Sequence, residues 1–305
     1  MNNDLAHIHR VDIEPQSYCN RICDWCPNKT LLRNYKEIMP DDIYTKLLFE
    51  LDCANFGKTP LAFGYATKIS FIGYQEIFSD VELLKKRASE AKEVLSNHVI
   101  LTTNTNGDYL TKEKLDMLYN ISVVIQDYDC HGKEYWESKL QEWGSYNIRY
   151  NENNHMLYGY RQNFISLIVV LDWAEVRELE NRGGYFKEGD LPEMNWVNDM
   201  RPRTVPCPEP DYFINIYYDG SVTPCCHIRP DNPDHKEYIL GNIHDTPLLD
   251  IYYSDKAEDF RKRLREPNGD YPEPCKYCQK IRDEICVGSP SGWNYNPHKY
   301  KEVSL

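Results

Sequence analysis

Cys19-Asn20-Arg21-Ile22-Cys23-Asp24-Trp25-Cys26 decides how the whole chain reads. Its three thiols are spaced C-x3-C-x2-C. Upstream, Ile8 to Ile13 reads as a strand. Downstream, Asp41 to Leu51 reads as a helix, with Ile43, Leu47, Leu48 and Leu51 on one face and Pro40 at its start. The cysteines therefore sit on a strand-to-helix loop, where parallel α/β folds place their chemistry. Three thiolates on one short loop can hold three irons of a [4Fe–4S] cube and leave the fourth open to an external ligand. An open metal position signals chemistry rather than scaffolding. The plainer alternative is a zinc knob or free thiols. Zinc asks for a fourth ligand, and the loop offers none.

Working outward, strands and helices alternate. Lys68 to Ile72 reads as a strand, and Ser79 to Leu95 as a helix opened by a Ser79–Glu82 capping box. His98 to Thr103 is a predicted strand. Thr111 to Tyr119 is a predicted helix with Thr111 as N-cap. Ser122 to Gln126 reads as a strand, Gly132 to Trp143 as a helix, and Asn147 to Tyr150 and Ile165 to Leu171 as strands. Alternation of this kind predicts a parallel sheet with helices outside. About six strands suit a partial (β/α)6 barrel better than a closed barrel of eight. After about residue 200, prolines cluster at 202, 206, 208 and 210. Tyr212 to Tyr218 and Ser221 to Thr223 then read as a hairpin about Asp219–Gly220. Pro247 to Leu264 reads as one helix, and the tail as irregular. The expected division is 1–200 for the partial barrel, 201–290 for a small hairpin/helix domain, and 291–305 for the tail.

The 305 residues carry a formal charge of −13, with 41% hydrophobic and 27% charged residues. Such a chain folds, and it lacks the basic footprint of a nucleic-acid binder. The longest apolar run, Ile165 to Leu171, falls far short of the ~20 residues a membrane helix needs. The amino terminus shows no signal pattern, which predicts a cytoplasmic protein. Eleven cysteines then read as metal ligands or free thiols rather than a disulfide framework.

The triplet resembles the signature of the radical S-adenosylmethionine (SAM) superfamily. In that resemblance Cys19, Cys23 and Cys26 hold the SAM-binding cluster, and Trp25 lies beside the adenine. Gly73-Tyr74-Gln75-Glu76 is similar to the family's strand-two motif, which implies that Gly73, Tyr74 and Glu76 contact SAM. Glu76 would receive the methionyl ammonium, a charge-assisted pair. Gln75 stands where the family often has glycine. Asn104 and Asn106, at the end of strand three, and Asn181 and Arg182, in Asn181-Arg-Gly-Gly184, resemble further SAM-side positions.

A second set of thiols follows. Cys207 and Cys225 flank the hairpin, and Cys275-Lys-Tyr-Cys278 follows the next helix. Spacing alone leaves a closed zinc site and a cluster equally open. The set resembles the SPASM and Twitch auxiliary domains of radical SAM enzymes, in the shorter form with one fully ligated cluster. The resemblance thus implies SAM and two [4Fe–4S] clusters as cofactors, and flavodoxin or ferredoxin as electron donor. It implies hydrogen abstraction from a small polyol, amino sugar or similar molecule, ending in oxidation or epimerisation. Cys130, Cys226 and Cys286 are the expected hydrogen-atom donors in the second case. A peptide-modifying enzyme is the alternative; the first strand begins near residue 8, which leaves no room ahead of it for a peptide-binding domain. A non-catalytic zinc or electron-transfer protein is the third reading. Gln126, Asp127, Asp129 and Arg149 are candidate pocket residues, with Asp129 and His131 as an acid–base pair beside Cys130.

Overall fold

The computed structural model describes residues 4–33, 35–58, 66–171, 183, 185 and 202–278. Its centre is β1 (Arg10–Ile13), β2 (Thr67–Phe71), β3 (Val99–Thr105), β4 (Ser122–Gln126) and β7 (Ile165–Val170), with an antiparallel pair, β5 (Tyr146–Asn151) and β6 (Met156–Arg161), inserted between β4 and β7. The second half adds β8 (Phe213–Ile216), β9 (Ser221–Thr223) and β10 (Gly241–Asn242). All ten join one sheet in the order β10-β9-β8-β1-β2-β3-β4-β7-β6-β5. The run from β8 through β1 to β4 and β7 is parallel.

Alternation along each strand gives the sheet two unlike faces. Val11, Ile13, Ile69, Phe71, Leu101, Val123, Ile125, Leu167 and Val169 are buried on the outer face. There they join one core with helices α1 (Asp41–Cys53), α2 (Val81–Val94), α3 (Lys112–Asp116) and α4 (Lys133–Glu142). Ile43, Leu47, Leu48 and Leu51 of α1 are the buried stripe that their spacing predicts. The inner face is polar. One register row crosses eight strands as Asn215, Asp12, Ser70, Thr102, Ser122, Ser166, Tyr160 and Tyr146. Its members bond across strands: Thr102 Oγ1 donates to Ser70 Oγ at 2.9 Å, and the Ser122 and Ser166 hydroxyls lie 2.7 Å apart.

Several expectations change. The hairpin was expected apart from the barrel, yet β8 pairs parallel with β1, so the sheet runs unbroken past residue 200. The 147–150 strand lies in β5 at the far antiparallel edge, so the sixth parallel strand is β8 instead. Asp80, not Ser79, caps α2 by accepting from the Leu83 N–H at 3.1 Å, because residues 77–80 form a 3-10 turn first. The single helix after Pro247 breaks at Tyr253–Ser254, giving α6 (Leu248–Tyr252) and α7 (Asp255–Arg265), after a short α5 (Glu209–Tyr212) and before α8 (Glu273–Lys276). Ser254 caps the new start, accepting from the Ala257 N–H. Gly220 takes φ 80° at the hairpin turn, a conformation that favours glycine.

Leu101 is 1% exposed at the centre of this outer-face core. Leu101→Ala is expected to destabilise the fold by about 2–5 kcal/mol, read as a lowered denaturant midpoint in anaerobic unfolding.

Candidate active site and cluster-binding thiols

The loop after β1 carries Cys19, Cys23 and Cys26, all half-buried and none in a disulfide. Burial pushes the Cys19 thiol up to about 11, helped by the Glu76 and Cys26 charges. Burial and the charges of Cys26 and Cys19 push Cys23 up to about 12. The three sulfurs therefore feel one another. An all-thiol donor set of this kind fits iron–sulfur ligation.

The same loop is tied to the strand ends. Arg21 Nε donates to Asp108 Oδ2 at 2.7 Å, and its Nη2 to Asp129 Oδ2 at 2.6 Å. Asn20 donates to Asp108 at 2.7 Å and accepts from Asn106 Nδ2 at 2.9 Å. One guanidinium thus clasps the cysteine loop to the loops after β3 and β4. Asp129 is engaged there rather than as an acid–base partner of His131, whose Nδ1 lies 3.1 Å from Asp127 Oδ1. Asp127 is a buried loop cap, accepting from the backbone N–H of His131 and of Gly132 at 3.0 Å each.

Glu76 is 1% exposed. Its Oε1 accepts from Phe78 N–H and Thr105 Oγ1, and its Oε2 from Asn106 N–H at 2.8 Å. A carboxylate has about four acceptor sites, so one on Oε2 stays open. Burial pushes the Glu76 carboxyl up, against these donors. Both side-chain polar atoms of Gln75 and Oε1 of Gln126 are buried without partners among the described residues. Unpaired buried polar atoms at strand ends fit a polar ligand that is bound there. The sequence did not single out Gln75 as a contact; only its burial reveals it. Trp25 packs on Tyr128, with ring centroids 5.3 Å apart, in an apolar patch with Val124 and Ile168. Asn104 lies half-buried on the inner face opposite Val124.

Gly73 and Tyr74 meet a buried ion network. A Cβ at Gly73 would stand 2.4 Å from Glu14 Oε1, and that oxygen accepts from the Tyr74 N–H at 2.6 Å. Arg33 Nη1 donates to both Glu14 oxygens at 2.8 Å, and its Nε to Asp231 at 2.7 Å. Arg229 donates to Asp231, to Asn28 Oδ1 at 2.9 Å and to the Leu31 carbonyl at 3.1 Å. Its guanidinium lies 4.4 Å over the Tyr74 ring, and the Tyr74 hydroxyl donates to the Cys226 carbonyl at 2.9 Å. Burial raises the Asp231 carboxyl, but hydrogen bonds from Arg229 and Arg33 overcome it and hold it at about 2.

On the far side, Cys207, Cys225, Cys275 and Cys278 line one cavity with His227 and Arg203. Cys207 is pushed up to about 11 by burial, against Arg203, and Cys275 is raised by burial and by the Cys278 and Cys207 charges. Arg203 Nη2 donates to the Cys278 carbonyl at 3.1 Å, and Cys278 Sγ lies 3.9 Å from His227 Nδ1. Among the described residues, no three His, Cys, Asp or Glu side chains converge on a single ion. The four thiols surround a space, and four sulfurs about a space fit a cube. Cys226 does not line it; its charge reaches Tyr74, Tyr217 and Arg10. Cys130 is exposed at φ 51° in the loop after β4. Asn181, Arg182 and Cys286 lie outside the described residues. Gly183 is described, and it stands against His227.

Residues 207–279 match the SPASM family, an iron–sulfur cluster-binding domain. With the fold and the three-thiol loop, this makes the chain similar to radical SAM enzymes over most of its length, with thiols suited to iron–sulfur binding. Among its relatives is the S-adenosyl-L-methionine-dependent 2-deoxy-scyllo-inosamine dehydrogenase of Niallia circulans, 24% identical over 89% of this chain and 92% of that protein. The crystal structure of BtrN in complex with AdoMet and 2-DOIA superposes with a TM-score of 0.63 at 21% identity, over 94% of this chain and 98% of that one. Native anSMEcpe with bound AdoMet shares the fold at a TM-score of 0.52 and 17% identity, over 96% and 95% of the two chains. No helix among the described residues is long and apolar enough to cross a membrane.

Glu14→Gln removes one charge of a buried network and leaves Arg33 and Arg229 to share the single carboxylate of Asp231. It is expected to cost roughly 3–5 kcal/mol, measured by anaerobic denaturant unfolding, whereas Lys112→Gln on the exposed face of α3 changes the midpoint little.

Proposed function

We propose that this chain oxidises a small hydroxylated substrate, a polyol or amino sugar, by hydrogen abstraction at a ring carbon. The polar row across the inner face carries this reading. An apolar substrate would make no use of those hydroxyls, whereas a polyol can exchange hydrogen bonds with them. Cys19, Cys23 and Cys26 would hold one [4Fe–4S] cluster, and Cys207, Cys225, Cys275 and Cys278 a second. A cluster held by Cys19, Cys23 and Cys26 would supply one-electron reduction of bound SAM. The chain's own groups orient and shield. Trp25 and Tyr128 flank the adenine, and the open acceptor of Glu76 takes the methionyl ammonium. Gln75 and Gln126 pair with remaining polar atoms of SAM. The Arg21 clasp holds the loop against the strand ends. Four thiolate ligands leave no open iron at the second site, which suits it to accept the substrate's electron. β1 to β4, β7 and β8 supply the barrel part and the stretches that carry Cys207, Cys225, Cys275 and Cys278 the auxiliary part, and a flavodoxin or ferredoxin in the cytoplasm is the fitting electron source.

Anaerobic incubation with SAM, dithionite and 2-deoxy-scyllo-inosamine is expected to give 5′-deoxyadenosine and a product lacking two hydrogens. Cys19→Ala is expected to abolish both. Cys275→Ala is expected to lower iron from about eight per chain and to lose the oxidised product while 5′-deoxyadenosine still forms. A product of unchanged mass that carries solvent hydrogen, lost in Cys226→Ala, would replace oxidation with epimerisation.

A further inference from the structure

The two thiol sets stand in opposite electrostatic settings. At the first loop the cation is Arg21, and two carboxylates hold it: its Nε donates to Asp108 Oδ2 at 2.7 Å and its Nη2 to Asp129 Oδ2 at 2.6 Å. Glu76 adds a third carboxylate, whose charge reaches Cys19. One positive charge against three negative ones leaves this side anionic. A reduced cube is more negative than an oxidised one, so an anionic setting makes it a stronger electron donor.

The second set differs. Arg203 lines the same cavity as Cys207, Cys225, Cys275 and Cys278, and it is 3% exposed. Its backbone is tied to the C-x2-C turn, because the Arg203 N–H donates to the Lys276 carbonyl at 2.6 Å. Its Nη2 donates to the Cys278 carbonyl at 3.1 Å and its Nη1 to the Val205 carbonyl at 3.4 Å. These bonds hold the guanidinium among the sulfurs. Burial would lower its pKa, but the Cys207 and Cys278 charges help to raise it instead. Arginine stays charged at any working pH. A buried cation costs several kcal/mol unless negative groups face it, and thiolates on iron are such groups. His227 adds a polar contact to the same sulfurs, with Nδ1 3.9 Å from Cys278 Sγ.

We propose that Arg203 sets the reduction potential of the second cluster, raising it so that the cluster takes the substrate's electron. An oxidised cube with four thiolates is doubly negative and a reduced one triply negative, so a buried cation beside it favours the reduced form. In the step this serves, a carbon radical that bears a hydroxyl gives one electron to the oxidised cube and its hydroxyl proton to water, and its C–O bond becomes a carbonyl. The reduced cube then returns the electron to a one-electron carrier protein, a flavodoxin or ferredoxin. This rests on the oxidation proposed above and deepens it by naming the residue that tunes the acceptor.

The test is protein-film voltammetry on the anaerobic, iron-loaded full chain, without SAM or substrate. Each cluster gives its own one-electron wave, and Cys275→Ala identifies the second by its loss. Arg203→Gln removes the charge and keeps an amide donor for the Cys278 carbonyl. It is expected to lower the second potential by about 59 mV or more, a tenfold or greater loss in the reduction equilibrium, and to leave the first potential in place. Arg203→Lys keeps the charge and is expected to hold the second potential near the parent's. Equal second potentials in the parent and Arg203→Gln would overturn the assignment, as would an equal drop in both variants. Loss of about four irons from Arg203→Gln would also overturn it, since the arginine would then be a structural tie. A parent chain that holds no second cluster would overturn both this assignment and the proposed oxidation. A parent with both clusters that yields no oxidised product would count against the oxidation alone, while the voltammetry still reads Arg203.

Discussion

The pairing of Arg33 with Glu14, each 1% exposed at its side chain, fixes how the two thiol sets face one another. An isolated buried charge costs several kcal/mol, so neither residue can be buried alone. Glu14 closes β1, Arg33 follows the cysteine loop, and their common neighbour Asp231 belongs to the segment after Cys225 and Cys226. Arg229 adds the fourth charge, so two cations face two anions and the network is neutral. Its partners are main-chain and side-chain groups from three separated stretches. Bidentate and multiply bonded guanidinium groups resist rotation, which makes the junction rigid rather than merely attractive. Tyr74 is gripped in its middle, by its N–H, its ring and its hydroxyl.

Two unlike faces of one sheet then divide the labour. The outer face is apolar and meets the helices, and it supplies the stability. The inner face carries hydroxyls, amides and a carboxylate in register. Those groups contribute little to stability by themselves, because their hydrogen bonds replace equally good ones to water. Their worth lies in what they offer a polar ligand. The Arg21 clasp and the unpaired Gln75 and Gln126 atoms lie where the two functions meet, at the strand ends.

Local patterns were legible; long-range partnerships were not. The C-x3-C-x2-C loop, the stripe of α1 and the hairpin at Gly220 each announce themselves within a few residues. Cys207 and Cys225 could be placed together from the sequence because a hairpin brings its ends together, and with Cys275 and Cys278 they line one cavity. By contrast, nothing near Phe213 says that its strand will lie beside β1, because pairing is decided by a partner some 200 residues away. β6 escaped notice since its inner residues are tyrosines, which blur the alternation of buried and exposed positions. Nothing in the sequence around Glu14 and Arg33 marks them for burial, which only the structure shows. Asp80 displaced Ser79 as a cap because one extra 3-10 turn precedes α2, and short-range rules do not foresee that turn.

The placement of β1 between β2 and β8 carries a consequence for how the chain comes off the ribosome. One rail of β1 has no neighbour until Ile216 emerges, at the far end of its register with Ile13. At typical elongation speeds that wait is on the order of 10–40 s. During it, an open strand edge and three reactive thiols are exposed together. Nascent chains of this design therefore need shelter from both oxygen and sticky neighbours, and a version cut near residue 200 would leave that rail permanently bare.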